Sequence, residues 1–295
     1  MILQPFKTYN LNLKGSLETI DHPWVMGIVN VTPDSFYGGS RVNDEQALLD
    51  RVLQMMDDGA DVIDVGACST RPGSSSVDAK GEMERLQWAL AAIRRELPDV
   101  ILSIDTYRAD VARRCVEEWG ADIINDISGG TMDTEMFKTV ATLNVPYVLM
   151  HMRGTPETMA SMTDYDDVTD EVISWMKQRI DELHQLGVVD VIADPGFGFA
   201  KTLEQNYQML ASLDEFHALE TPLLVGLSRK RMIYNLLDCT ADEALNGTTV
   251  ANTIALMHGA HILRVHDVRA AVEAVNIVTK TLEESPSEQF LPSYF

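Results

Sequence analysis

Eight short β-branched runs alternate with amphipathic stretches between residues 24 and 282. The runs cover 25–31, 62–67, 101–105, 123–127, 147–150, 191–193, 223–226 and 262–265, and each is apolar on both faces. That pattern suits parallel strands covered by helices outside and packed by layers of side chains inside. Leu48, Val52, Met55 and Met56 recur at helical spacing between two of the runs, as do Val172, Trp175, Met176, Arg179 and Leu183. Gly59, Gly120, Gly187 and Gly259 each follow a helical stretch and precede a strand, where a left-handed C-cap belongs. The repeat predicts an α/β fold, an eight-stranded parallel (β/α)8 TIM barrel over 24–282. Two weakly alternating stretches around Lys14-Gly15 predict a short N-terminal hairpin or cap within 1–23, and 283–295 reads as a polar tail with late aromatics.

A chain of 295 residues suits one such domain, and an apolar fraction of 45% supplies its core. The formal net charge of -22 argues against nucleic acid and anionic membranes as partners. Any anionic substrate must therefore be held by a local cluster of Arg and Lys. Residues 1–13 lack a basic segment followed by an apolar one, so no signal peptide is expected. No apolar run approaches the roughly 20 residues that span a bilayer. Cys68, Cys115 and Cys239 are odd in number and widely spaced, which points to a reducing cytoplasm rather than a disulfide framework.

In a parallel barrel the C-terminal ends of all strands open at one mouth, so polar residues there converge on one ligand. Asn30, after the first strand, offers an amide oxygen suited to Mg²⁺, within a Pro33-Asp34-Ser35 segment that is also a good turn. Ser69-Thr70-Arg71-Pro72-Gly73 places two hydroxyls and a guanidinium on the second loop. Asp105 and Asn125 end the third and fourth strands. A carboxylate there is costly if buried and unpaired, so it marks a ligand, a cation or a helix cap. Thr106 or Asp126 could cap the next helix, which leaves Asp105 and Asn125 for the ligand. Asp194-Pro195-Gly196-Phe197-Gly198-Phe199 allows close backbone approach, with Phe199 as a wall for an aromatic ligand or Asp194 as an N-cap.

Arg229, Lys230 and Arg231 follow Gly226 where a helix opens, and three cations there oppose the helix dipole unless an anion lies nearby. Arg264 and His266 share one face of the last strand, at the usual phosphate corner of this architecture. His151 also ends a strand and reads as supporting or structural. Two acids, an amide and several cations at one mouth describe a site for a donor-rich ring with an anionic tail.

The segments 26–36, 69–73, 103–106, 124–129, 149–158, 194–206, 226–230 and 262–268 resemble, in order, those of the dihydropteroate synthase family. The resemblance covers nearly the whole chain. It implies condensation of (7,8-dihydropterin-6-yl)methyl diphosphate with p-aminobenzoate to give 7,8-dihydropteroate and pyrophosphate, with Mg²⁺, in a homodimer that sulfonamides target. It implies pterin contacts at Asp105, Asn125, Asp194, Phe199, Gly226, Lys230 and Arg264. Diphosphate contacts fall on Asn30, Thr70, Arg264 and His266, with Asn30 on the metal. Those to p-aminobenzoate fall on Thr70, Arg71, Pro72, Phe199, Lys230 and Arg231. Catalysis falls on Asp34, Asp105, Lys230, Arg264 and His266. The family commonly has Ser where this chain has Arg231, whose guanidinium could pair with the p-aminobenzoate carboxylate or point to solvent. Cys68 stands where the family often carries an acidic residue. Two other readings remain open at this level: a methyltetrahydrofolate–corrinoid methyltransferase on the same barrel, and a pterin-binding paralogue without turnover.

Overall fold

The computed structural model describes residues 6–31, 41–67 and 78–285. Asp34, Cys68, Thr70, Arg71 and Pro72 lie outside the described residues. Strands β1 (Tyr9–Leu13) and β2 (Ser16–Ile20) form an antiparallel hairpin, with Tyr9 opposite Ile20 and Leu13 opposite Ser16. Its two turn residues, Lys14 (φ 53) and Gly15 (φ 89), both take positive φ, the requirement of a type I′ turn. The Asn12 side chain accepts from the Gly15 amide at 2.7 Å and fastens the turn.

Eight parallel strands follow: β3 (Trp24–Asn30), β4 (Val62–Gly66), β5 (Ile101–Asp105), β6 (Ile123–Asp126), β7 (Tyr147–Met150), β8 (Val191–Asp194), β9 (Leu224–Val225) and β10 (Ile262–Val265). Their order is β8-β7-β6-β5-β4-β3-β10-β9, and a parallel bridge between Ala193 and Leu223 joins the two edge strands into a barrel. The expected run at 223–226 is shorter as a strand, Leu224–Val225, with Leu223 adding an isolated bridge to Ala193.

The helices are α1 (Arg41–Asp57), α2 (Ala79–Glu96), α3 (Ala109–Trp119), α4 (Met136–Leu143), α5 (Val168–Gln185), α6 (Leu203–Ala211), α7 (Arg231–Leu236), α8 (Leu245–Met257) and α9 (Val268–Glu283). All four glycines read as caps take positive φ, from 63 to 97.

Period-two alternation sorts each strand. Val25, Val29, Ile63, Val65, Leu102, Ile104, Ile124, Leu149, Ala193, Val225 and Leu263 pack outward into the main core under the helices. Met26, Val62, Ile123, Val148, Ile192, Leu224 and Ile262 pack inward as a separate layer near the strand starts. Leu11, Leu13 and Ile20 of the hairpin join that inner layer, so the hairpin plugs the closed end of the barrel. Each such fully buried aliphatic side chain stabilises the fold by roughly 1.5–3 kcal/mol.

Neither Thr106 nor Asp126 caps the following helix. The Ala109 amide of α3 is met by Asp133 at 2.8 Å, while Thr106 accepts from the Arg108 amide two residues on. Asp126 instead gathers its own loop, accepting from the Ser128 amide and hydroxyl, the Gly130 amide and the Tyr147 hydroxyl. Asp194 is not a cap either: α6 starts with a capping box of Thr202 and Gln205. Asp194 accepts from the Gly196 amide at 2.8 Å within its own turn.

Candidate active site

The inner layer fixes which residues reach the mouth. Two residues beyond Val62 is Asp64; beyond Ile123, Asn125; beyond Ile192, Asp194; beyond Leu224, Gly226. Four residues beyond Met26 is Asn30, and two and four beyond Ile262 are Arg264 and His266. Steps of two keep the same face, so Asn30, Asp105, Asn125, Asp194, Gly226, Arg264 and His266 all lie on the inward face toward the open end. Register adds the neighbours: Asp64 sits beside Ser103, and Asp105 lies between Gly66 and Asn125. A Cβ at Gly66 would come within 3.2 Å of the Asp105 Cβ, so the glycine leaves Asp105 its room.

Arg264 is the hub. Its Nε donates to Asp64 Oδ2 at 2.7 Å and its Nη2 to Asp105 Oδ2 at 2.7 Å. Asp64 is fully buried and also accepts from the Ser103 hydroxyl at 2.6 Å and the Asn125 amide nitrogen at 3.1 Å. Burial lifts the Asp105 carboxyl to about 7, although the Arg264 charge pulls it down. Asp64 adds to the upward push. Burial also raises Asp194, with Lys230 opposing.

The three cations after Gly226 do three different things. Arg229, with φ 53, turns away and forms a two-pronged ion pair with Asp267 through Nε (2.8 Å) and Nη2 (3.0 Å). It also donates to the Ala241 and Asp242 carbonyls. The expected conflict with the helix dipole is therefore met, for Arg229, by a protein carboxylate. Lys230 turns into the mouth, donates to the Phe197 carbonyl, and stands 4.6 Å from the centre of the Phe199 ring. Burial lowers its pKa to about 8, with Asp194 opposing. Arg231 is exposed at the first residue of α7.

His266 meets Ser228 twice: its backbone amide donates to the Ser228 hydroxyl at 3.2 Å, and its Nδ1 lies 3.1 Å from the same oxygen. This joins the loops after β9 and β10. Behind the Asp194 turn, the buried Lys201 donates to the Gly196 and Phe199 carbonyls at 3.1 Å and meets His151 Nδ1 at 3.0 Å. Burial and then Lys201 push His151 well below its ordinary value, so neutral His151 accepts from Lys201. Burial brings Lys201 itself down to about 7, against the pull of Asp194.

The structure thus brings together Asp105, Asn125, Asp194, Phe199, Gly226, Lys230, Arg264 and His266, and adds Asp64, Ser103, Ser228 and Lys201. Asp64 had a readable signal. It interrupts the apolar run Val62-Ile63-Asp64-Val65-Gly66 at an inward position, where only a paired carboxylate is tolerated.

A parallel α/β barrel with carboxylates, an amide and cations around one mouth defines an enzyme of small, donor-rich ring substrates. A family model described as "Pterin binding enzyme" matches residues 26–266. Dihydropteroate synthase of Escherichia coli (strain K12) is 42% identical over 282 residues, covering 94% of this chain and 98% of that one. The structure of Yersinia pestis dihydropteroate synthase with a sulfonamide drug complex superposes with a TM-score of 0.85 at 38% identity, over 93% of this chain and 100% of that chain. Xanthomonas albilineans dihydropteroate synthase with 4-aminobenzoic acid gives 0.86 at 36% identity, over 95% and 100%. The chain belongs to the pterin-binding enzymes and, among them, to the dihydropteroate synthase family.

Proposed function

We propose a residue-level account of the dihydropteroate synthase reaction on this chain. Asp105, Asp194 and the Asn125 carbonyl accept the ring N–H and amino donors of the dihydropterin. Lys230 donates to the ring acceptors, while Phe199 and Gly226 line the ring's surroundings. Arg264 and His266, with Asn30 and Thr70, hold the diphosphate. Thr70, Arg71, Pro72, Phe199, Lys230 and Arg231 frame p-aminobenzoate, whose carboxylate the exposed Arg231 guanidinium meets.

The chemistry is dissociative. The C–O bond to the diphosphate breaks first and its electron pair leaves with the diphosphate, whose charge Arg264 and His266 take up. Asp34 and Asp105 stabilise the pterin-methyl cation that remains. The amine of p-aminobenzoate then forms the C–N bond and sheds a proton. Mg²⁺, when bound, supplies further charge to the leaving diphosphate. Asn30 would hold it. A single hard oxygen at an inward strand end fits an ion that keeps waters and phosphate oxygens as its other ligands. Among the described residues there is no group of three or more His, Cys, Asp and Glu that could form an all-protein cage.

We place the enzyme in the cytoplasm as a homodimer. Cys68, Cys115 and Cys239 are odd in number and widely spaced, which suits a reducing compartment. The buried Asp64–Arg264–Asp105 network beside Asn125 and Asp194 carries the functional reading, because it sets acceptors and cations side by side at one mouth. The test is pyrophosphate release from dihydropterin diphosphate and Mg²⁺, with and without p-aminobenzoate. Release that depends on p-aminobenzoate and yields dihydropteroate is expected. Pterin binding with no release would overturn it.

A further inference from the structure

We infer that Asp64 is a positioning residue of the pterin pocket, setting which atom of Asn125 and which nitrogen of Arg264 face the ligand. Asp64 is fully buried at the middle of β4, one inward layer below Asp105, and cannot itself reach a ligand at the mouth. All its contacts are inbound. Ser103 occupies Oδ1, while Arg264 Nε and Nη2 and Asn125 Nδ2 share Oδ2. A carboxylate only accepts hydrogen bonds, so the carboxamide of Asn125 must turn its NH₂ group toward Asp64. Its carbonyl oxygen then faces the other way. That oxygen has no protein partner among the described residues and is not one of the sealed-off polar atoms, so it opens into the mouth.

An amide flipped the other way would offer donors to a ring edge that is itself rich in donors. Asp64 therefore selects the acceptor face of Asn125. The same carboxylate holds Arg264 by Nε and Nη2. With Nη2 shared between Asp64 and Asp105, Nη1 is the guanidinium nitrogen without a protein partner among the described residues. One buried carboxylate in this way sets the hydrogen-bond polarity of two groups above it. The inference rests on the reading that Asn125 touches the pterin.

The experiment is a double-mutant cycle on the full chain, read as the Kd of 6-hydroxymethylpterin by calorimetry. Its corners are the native protein, Asp64→Ala, Asn125→Ala and the double variant. Asp64→Ala is expected to weaken pterin binding roughly tenfold, the scale of one misdirected buried hydrogen bond. On the Asn125→Ala background its further loss should be smaller by about threefold or more, since residues acting through one another are not additive. The KM for p-aminobenzoate at saturating pterin diphosphate should stay within about twofold, which a general structural defect would not spare.

Equal losses on both backgrounds, or matched losses for both substrates, would overturn the role of Asp64 while leaving Asn125 as a pterin ligand. An Asn125→Ala variant with native pterin affinity would remove Asn125 from the pocket and the inference with it. If Asp64→Ala does not fold, Asp64→Asn, which keeps the volume and one acceptor oxygen, goes through the same cycle with the same criteria.

Discussion

At the scale of single residues, the site's working groups are buried acids and bases whose ordinary charge states are in question. Burial holds Asp105 at about 7 and Lys230 at about 8. Asp105 serves as a carboxylate, a form present above about 7 and lost as the pH falls through it. Lys230 serves as an ammonium donor, a form present below about 8 and lost as the pH rises through it. The expected kcat/KM for the pterin substrate is thus a bell with its top between these values, reporting the free enzyme. Asp105→Asn should flatten the acid limb and cut kcat on the order of 100-fold, as loss of a charge-stabilising group does. A profile with no acid limb in the native protein, or an unchanged kcat in the variant, would remove Asp105 from the chemistry. Most of these residues were legible in the sequence because each ends a strand. Asp64 lies inside a strand rather than at its end. Buried partners such as Asp64, Ser103 and Lys201 show their purpose only when cross-strand register and loop return bring their ligands to them.

Elements carry those residues to one mouth, and here sequence and structure agree closely. Strands at 101–105, 147–150 and 262–265 form with the bounds expected from their apolar runs, and the Lys14-Gly15 turn sits where the alternation breaks. The departures concern hydrogen-bond partners distant in sequence. Asp133 rather than Thr106 meets the start of α3, and Asp267 rather than a bound anion answers Arg229. The β8–α6 loop is the least forgiving element. Gly196 has φ 74, and a Cβ there would stand 2.0 Å from the His151 carbonyl oxygen, a backbone atom that cannot swing aside. Gly196→Ala should cost at least about 2 kcal/mol, from left-handed strain and displaced backbone together. It should also raise the pterin KM, because Asp194 and the Phe197 carbonyl move with the loop. Urea denaturation and steady-state kinetics measure both. A midpoint unchanged from the native protein would show that the loop yields without cost, and that Lys201 and His151 do not clamp it.

For the whole molecule, closure of the barrel is what converts strand ends into a site, and that closure rests on a single bridge, Ala193 to Leu223, that no local pattern announces. The net charge of -22 gives an anionic substrate no long-range attraction, so binding depends on Lys230 and Arg264 at short range inside the mouth. The outer surface carries a different message. α8 buries Thr248, Ala251, Asn252, Ala255 and Leu256, yet its opposite side shows Val250 at 52% and Ile254 at 39% exposure, four residues and so about one turn apart. Ile277 on α9 is 67% exposed, and Leu236 and Leu237 at the end of α7 exceed half. Large aliphatics concentrated on three consecutive helices exceed the scattered exposure normal for a monomer. A second copy related by a two-fold axis would cover such a patch with its own equivalent, burying about 800 Å² on each side in an interface of ordinary size. Sedimentation of the native protein is then expected to give a dimer. The double variant Val250→Asp with Ile254→Asp should sediment as a monomer, because each carboxylate would be buried without a partner. It should keep its pterin affinity, since neither residue lies at the mouth. A native protein that sediments as a monomer at micromolar concentration, or a variant that remains dimeric, would exclude this face as the interface.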